Sequence, residues 1–181
     1  MSEKYKFVDK NGIYFVTPSI IGWVDVFTKS QYCSIILDSL KHCQEEKGLK
    51  IHAWCIMSSH LHLIVSSEKE DLSSIMRDFK KFTSKKIIEE MESGNDSRKE
   101  WMLALFSEAA EQTKRNKYYK VWQDGNHPIL LDTNKMMDQR LNYIHNNPIE
   151  QGIVFNAFDY IYSSAIDYTD GSGLLEIEKI S

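Results

Sequence analysis

The chain has 181 residues, 42% of them hydrophobic and 27% charged, with only three prolines. That length buries roughly 70% of the surface an unfolded chain exposes, so no disulfide or metal staple is needed, and the composition excludes disordered and fibrous chains. A formal net charge of −4 argues against binding nucleic acid through bulk positive charge.

The first residues, MSEKYKF, lack the apolar segment of a signal peptide, and apolar runs such as Leu63–Val65 are far too short to cross a membrane. Residues 12–18 are rich in β-branched and aromatic side chains and predict a first strand. Thr28-x-x-Gln31 has the form of a capping box. It precedes a helix over Ser30–Lys47 with Ile36, Leu40 and Cys43 apolar and Gly48 closing it. Residues 50–57 and 60–66 read as strands of an antiparallel hairpin, joined at Ser58-Ser59. Asp71 caps a helix over Leu72–Met91 with Leu72, Ile75, Phe79 and Phe82 toward the core, and Ser93-Gly94-Asn95-Asp96 breaks it.

Residues 98–117 read as a polar helix and 127–131 as a short strand. Thr133 caps a last helix that should end near Asn146, because Pro148 disfavours helical geometry at Asn147; Gly152 then makes the turn. Beyond residue 157 the tail has five acidic residues and one lysine, and is expected to wrap the surface. The order is β-α-β-β-α, an α-rich stretch, then β-α. It predicts one domain over 1–181 of the α+β class, with helices on one face of an antiparallel sheet. Cys33, Cys43 and Cys55 have no CxxC spacing and read as reduced thiols of a cytoplasmic protein.

His60-Leu61-His62 is the sharpest chemical feature. On a strand, His60, His62 and Ile64 share one face, and Leu61, Leu63 and Val65 share the other. The leucine–valine face belongs to the core. The two imidazoles then project together from the opposite, more open face, where they can ligate one divalent cation given a third ligand. The plainer alternative is a pair of histidines on a half-exposed sheet. His42, His52 and His127 lack such spacing and read as ordinary surface or hydrogen-bonded side chains.

On the last helix, Met137, Leu141 and Ile144 form a core stripe, while Met136, Arg140, Tyr143 and Asn147 lie on a neighbouring face. Tyr143 is either a flank tyrosine with a wet hydroxyl or a nucleophile toward a phosphate that a cation polarises.

Read jointly, the segments HAWCIMSSHLHLIV and LNYIHNNPIEQGIV, with KKFT and VWQDGNHP between them, resemble the HUH-type single-tyrosine transposases. The nearest branch is the REP-associated tyrosine transposases, relatives of the small insertion-sequence transposases. The resemblance runs from the first strand to Ser163-Ser164. It implies a ferredoxin-like (RRM-like) sandwich in which His60 and His62 hold Mg²⁺ or Mn²⁺. Tyr143 attacks single-stranded or hairpin DNA, leaving a 5′-phosphotyrosine and a free 3′-hydroxyl that later rejoin. The insertion-sequence branch carries Gln as third ligand where Asn147 stands; the REP-associated branch has Asn-Pro there, which makes Asn147 the candidate, with His145 a substitute.

Arg77, Lys80, Lys81, Ser84 and Lys85 recur at helical spacing, opposite the Ile75/Phe79/Phe82 face. They are either a solvated face or a DNA track. Trp122 and Gln123 are placed to touch an unpaired base, although Trp122 suits the core equally well. Arg140 is a further DNA-binding candidate. Arg98, Lys99, Lys114, Arg115, Lys117 and Lys120 form a second basic group. The expected function is strand cleavage and rejoining by a monomer or homodimer. The alternatives are a non-catalytic nucleic-acid-binding module, which needs neither histidine nor Tyr143, and a metal-dependent hydrolase, for which no carboxylate is placed by motif.

Overall fold

The computed structural model describes residues 6–69, 71–113 and 118–180. Its sheet has strands β1 (Tyr14–Val16), β2 (Leu49–Ile56), β3 (Leu61–Ser67) and β4 (Ile129–Leu130), ordered β2-β3-β1-β4 with every pairing antiparallel. The α-helices among the described residues are α1 (Ser30–Lys47), α2 (Leu72–Ser93), α3 (Lys99–Glu111) and α4 (Asn134–Glu150). With α1 crossing from β1 to β2 and α2–α3 crossing from β3 to β4, the connectivity is ferredoxin-like, and the expected α+β class holds.

Strand parity divides the interior. Tyr14, Val16, Leu61, Leu63 and Val65 face α1 and α2 in one buried cluster; Phe15, Ala53, Cys55 and Ile64 face the other way, with Ile144 of α4. The expected one-sided helix layer is therefore α1 and α2, and α4 lies across the opposite face, which is less open than its histidines suggested. β2 changes parity partway. Leu49 and Ile51 point to the α1 side, yet so do Trp54 and Ile56, because a register slip falls between Ile51 and Ala53. That bulge turns Ala53 and Cys55 toward α4. His52, at the slip, is held by Ser66 Oγ and the Glu178 carbonyl, each at 2.8 Å.

Several local expectations change. Thr28 is no capping residue: its hydroxyl donates to the Asp25 carbonyl at 3.0 Å, and α1 starts from Lys29 without a side-chain cap. Asp71 does cap α2, accepting from the Ser74 N–H at 2.9 Å. Phe82 is 52% exposed, because the buried arc of α2 turns through Thr83, Ile87 and Met91 and leaves it outside. The third helix stops at Glu111, and 114–117 lie outside the described residues.

α4 runs through Pro148 to Glu150 rather than ending near Asn146. Asn147 and Pro148 are both buried, and Gly152, at φ 70°, makes the exit. Tertiary burial thus overrides the local bias against helix before proline. The acidic tail lies along the outer edge of β2: Glu178 N–H donates to the Ile51 carbonyl at 2.9 Å and its carboxylate meets Lys50 Nζ at 3.1 Å. The tail blunts an otherwise open strand edge.

Candidate active site

β3 and the short turn before it aim two imidazoles at one point. The His60 and His62 rings lie 4.6 Å apart, and their Nε2 atoms approach to 3.1 Å. Each Nδ1 has a hydroxyl neighbour, Ser59 Oγ at 3.2 Å for His60 and Thr17 Oγ1 at 3.3 Å for His62. With each Nδ1–H donated to its hydroxyl oxygen, both Nε2 lone pairs face the same spot, the tautomer a metal ligand requires. Burial depresses both imidazoles, His62 to about 3, with the charges of His60 and Arg140 adding to the effect there. Both rings are therefore neutral at pH 7.

α4 supplies the rest. Thr133 caps it by accepting from the Met136 N–H at 3.2 Å, and Ile144, fully buried, fastens it to the sheet. The Tyr143 ring, 39% exposed, stands 5.1 Å from His62 and nearly perpendicular to it. Phe15 stacks on His62 at 5.6 Å, and the Arg140 guanidinium lies 4.8 Å over Phe15 and 6.0 Å over Tyr143. Because the helix continues past residue 146, Asn147 stays on the Tyr143 side. Its Nδ2 is 3.3 Å from His62 Nε2, and its Oδ1 is buried without a hydrogen-bond partner.

A buried orphan acceptor is costly unless something supplies positive charge. Two neutral imidazole nitrogens, with an amide that turned its oxygen toward them in place of Nδ2, would form a donor set suited to a divalent cation of mixed N/O preference. Among the described residues no three His, Cys, Asp or Glu side chains converge. His145 is no substitute: it turns away, with Nε2 2.9 Å from Ser164 Oγ and its ring 5.1 Å from Tyr168.

The remaining candidates are scattered. Trp122 is a core residue, 4% exposed, with its indole N–H donating to Thr83 Oγ1 at 3.0 Å, so it offers no face to a base. Lys80 leaves the basic stripe: its ammonium is drawn in to the carbonyls of Gln123, at 2.9 Å, and Gly125, at 2.5 Å, and burial lowers it to about 8. Gln123 spends its side-chain N–H on the Ile20 carbonyl at 2.9 Å. Arg77, Lys81 and Lys85 border a groove of about 1320 Å³. Arg77 pairs with Asp78 at 3.1 Å and Lys85 with Glu89 at 3.7 Å. In the second basic group, Arg98 is bound to Asp96 at 3.0 Å and Lys120 to Asp124 at 2.8 Å, while Lys114, Arg115 and Lys117 lie outside the described residues. Sequence reasoning passed over Trp23, whose indole lies 5.5 Å from the His60 ring. No periodicity or motif marks it; only the tertiary pairing of Ser19 with His60 brings it there.

Among solved structures, the chain is similar to a REP-associated tyrosine transposase bound to a REP hairpin. The TM-score is 0.66 at 19% identity, over 100% of this chain and 96% of that one. At that identity the likeness establishes the fold. No curated protein sequence matches the chain. Residues 24–147 match the family described as Transposase IS200 like, a span that takes in His60, His62 and Tyr143 and ends on Asn147. Covering more than half of the chain, that match makes it a member of the IS200-like transposase family.

Proposed function

We propose that the protein cuts and rejoins single-stranded or hairpin DNA with Tyr143 as nucleophile. The observation that carries this reading is the convergence at α4 and β3: a solvent-reaching phenol 5.1 Å from His62, two facing Nε2 atoms, and the buried Asn147 amide 3.3 Å from one of them. Tyr143 Oη attacks phosphorus as the P–O3′ bond breaks, giving a 5′-phosphotyrosine and a 3′-hydroxyl. The phenolic proton leaves to water and the 3′ oxygen takes one up. One phosphodiester replaces another, so the exchange is reversible without a nucleotide cofactor. Arg140 brings a positive charge beside Tyr143, where a scissile phosphate would lie. His60, His62 and Asn147 are the residues that would hold Mg²⁺ or Mn²⁺. Such a cation, when bound, neutralises the phosphate oxygens and polarises phosphorus. The hairpin bound to the similar transposase makes a tailed hairpin the first substrate to try.

The test is a labelled tailed hairpin incubated with the chain and Mn²⁺, then run on a denaturing gel. A covalent adduct is expected with wild type, none with Tyr143→Phe, and none with wild type in chelator. An adduct that persists in Tyr143→Phe removes the assignment. Cleavage by His60→Ala/His62→Ala in chelator removes the metal.

A further inference from the structure

Trp23 has a left-handed backbone, φ 54°, which a bulky side chain adopts at a cost and glycine adopts freely. Its indole is 57% exposed, so burial does little to offset that cost. The turn that carries it is nonetheless fixed. Trp23 N–H donates to the Ile20 carbonyl at 3.1 Å, Ile20 N–H to the Ser59 carbonyl at 2.9 Å, and Ile21 N–H to the Val121 carbonyl at 2.8 Å. The turn is thus tied to the same loop that delivers His60, and the indole stands edge-on to that imidazole, with centroids 5.5 Å apart. The family match begins at residue 24, one position beyond it.

We infer that Trp23 is a stacking platform for an unpaired base flanking the phosphate held at the His60–His62–Tyr143 centre. The position of that phosphate rests on the cleavage reading above. A nucleotide presents a charged backbone on one side and a flat base on the other. The chain offers a matching pair: a polar, buried donor cluster, and beside it an exposed aromatic surface held by three backbone hydrogen bonds. Stacking on an aromatic ring is strong and tolerant of base identity, so Trp23 positions the nucleotide without reading it. A turn already set in its strained conformation leaves little to order on binding.

The test uses the full chain as Tyr143→Phe, which binds without reacting. The probes are a labelled oligothymidine of about 12 nucleotides and an abasic oligomer with the same number of phosphates. Trp23→Gly relieves the left-handed backbone, so its Tm should match or exceed the parent's. Oligothymidine affinity should fall about 10-fold, while affinity for the abasic oligomer is unchanged. Trp23→Phe should recover most of the loss, and neither variant should change the salt slope, since no phosphate contact is removed. With Trp101→Phe, Trp23 is the exposed tryptophan, and oligothymidine should quench its fluorescence where the abasic oligomer does not. Unchanged oligothymidine binding by Trp23→Gly, or an equal loss with the abasic oligomer, overturns the platform. The two readings fail separately: absence of any adduct from the unmodified chain sinks cleavage, yet leaves a Trp23-dependent preference for bases over abasic sites intact.

Discussion

Adjacent residues of β3 meet two different environments. Leu61, Leu63 and Val65 are at most 1% exposed and lie among the side chains of α1 and α2; His62, only 3% exposed, is as dry but faces Tyr143 and Asn147. On the first face, burial of apolar surface stabilises the fold directly. On the second, the same loss of water holds the imidazoles neutral and leaves the Asn147 oxygen without a partner. Dryness becomes stability where side chains are apolar, and shifted ionisation where they titrate.

Neighbouring alanine substitutions should break the contrast most visibly. Leu63→Ala is expected to cost about 2–5 kcal/mol in denaturant unfolding, because a fully packed position leaves a cavity. His62→Ala should cost less than half as much, since that face is polar and the ring's contacts to Asn147 Nδ2 and Thr17 Oγ1 are both long, at 3.3 Å. With Mn²⁺ the order reverses. Leu63→Ala should keep the stabilisation by bound cation, about 2.7 kcal/mol at a hundredfold excess over Kd, and His62→Ala should lose it. Equal Mn²⁺ stabilisation of both variants would abolish the distinction between the two faces.

Titratable groups sharpen it. Asp96 is nearly as buried as His62 but fully satisfied, with Arg98 Nη2 at 3.0 Å and Lys29 Nζ at 3.3 Å, and these partners hold its carboxyl far below the usual range. A carboxylate whose folded pKa is depressed stabilises the native state above its unfolded pKa, near 4, and loses that contribution as pH falls through the folded value. Asp96→Asn should therefore cost about 1.5–3 kcal/mol at pH 7 and flatten the acid limb of the stability curve below pH 4, followed by urea melts. Asn147 is the opposite case. Asn147→Ala should lower the urea midpoint only slightly, because the long Nδ2 contact to His62 is lost together with an unsatisfied oxygen. It should also weaken Mn²⁺ binding about tenfold, roughly 1.4 kcal/mol, by titration calorimetry.

Much of this arrangement was legible in the sequence because it rests on period and order. The alternation of His60-Leu61-His62-Leu63 fixes which side chains share a face. The α4 spacing likewise puts Arg140, Tyr143 and Asn147 together. What escaped depends on long-range packing. The bulge at His52 reverses the parity of β2 without any local mark, since neither Gly nor Pro stands there. Pro148 signals a helix end that burial overrides, and that override carries Asn147 to His62. Lys80 recurs with exposed basic residues along α2, yet the loop it packs against claims its ammonium, whereas Trp122 takes the core place the sequence also allowed it.

The smallest effect separates the two lysines of the α2 stripe. Were Lys80 and Lys81 both phosphate ligands, each would contribute about −0.7 to the log–log salt slope for single-stranded DNA. Lys80 is instead committed to the carbonyls of Gln123 and Gly125, whereas Lys81 is exposed on the border of the groove. Lys81→Ala should flatten the slope by about 0.7 and weaken binding alike across sequences, since phosphate contacts do not read bases. Lys80→Ala should leave the slope as it is and act through the 121–126 loop, lowering Tm because two carbonyls lose their shared donor. Salt titrations of both variants, with melts at one salt concentration, distinguish the roles. A slope that responds to Lys80→Ala and ignores Lys81→Ala would mean that DNA draws Lys80 out of its carbonyl nest, and that the groove closes on the strand through that loop.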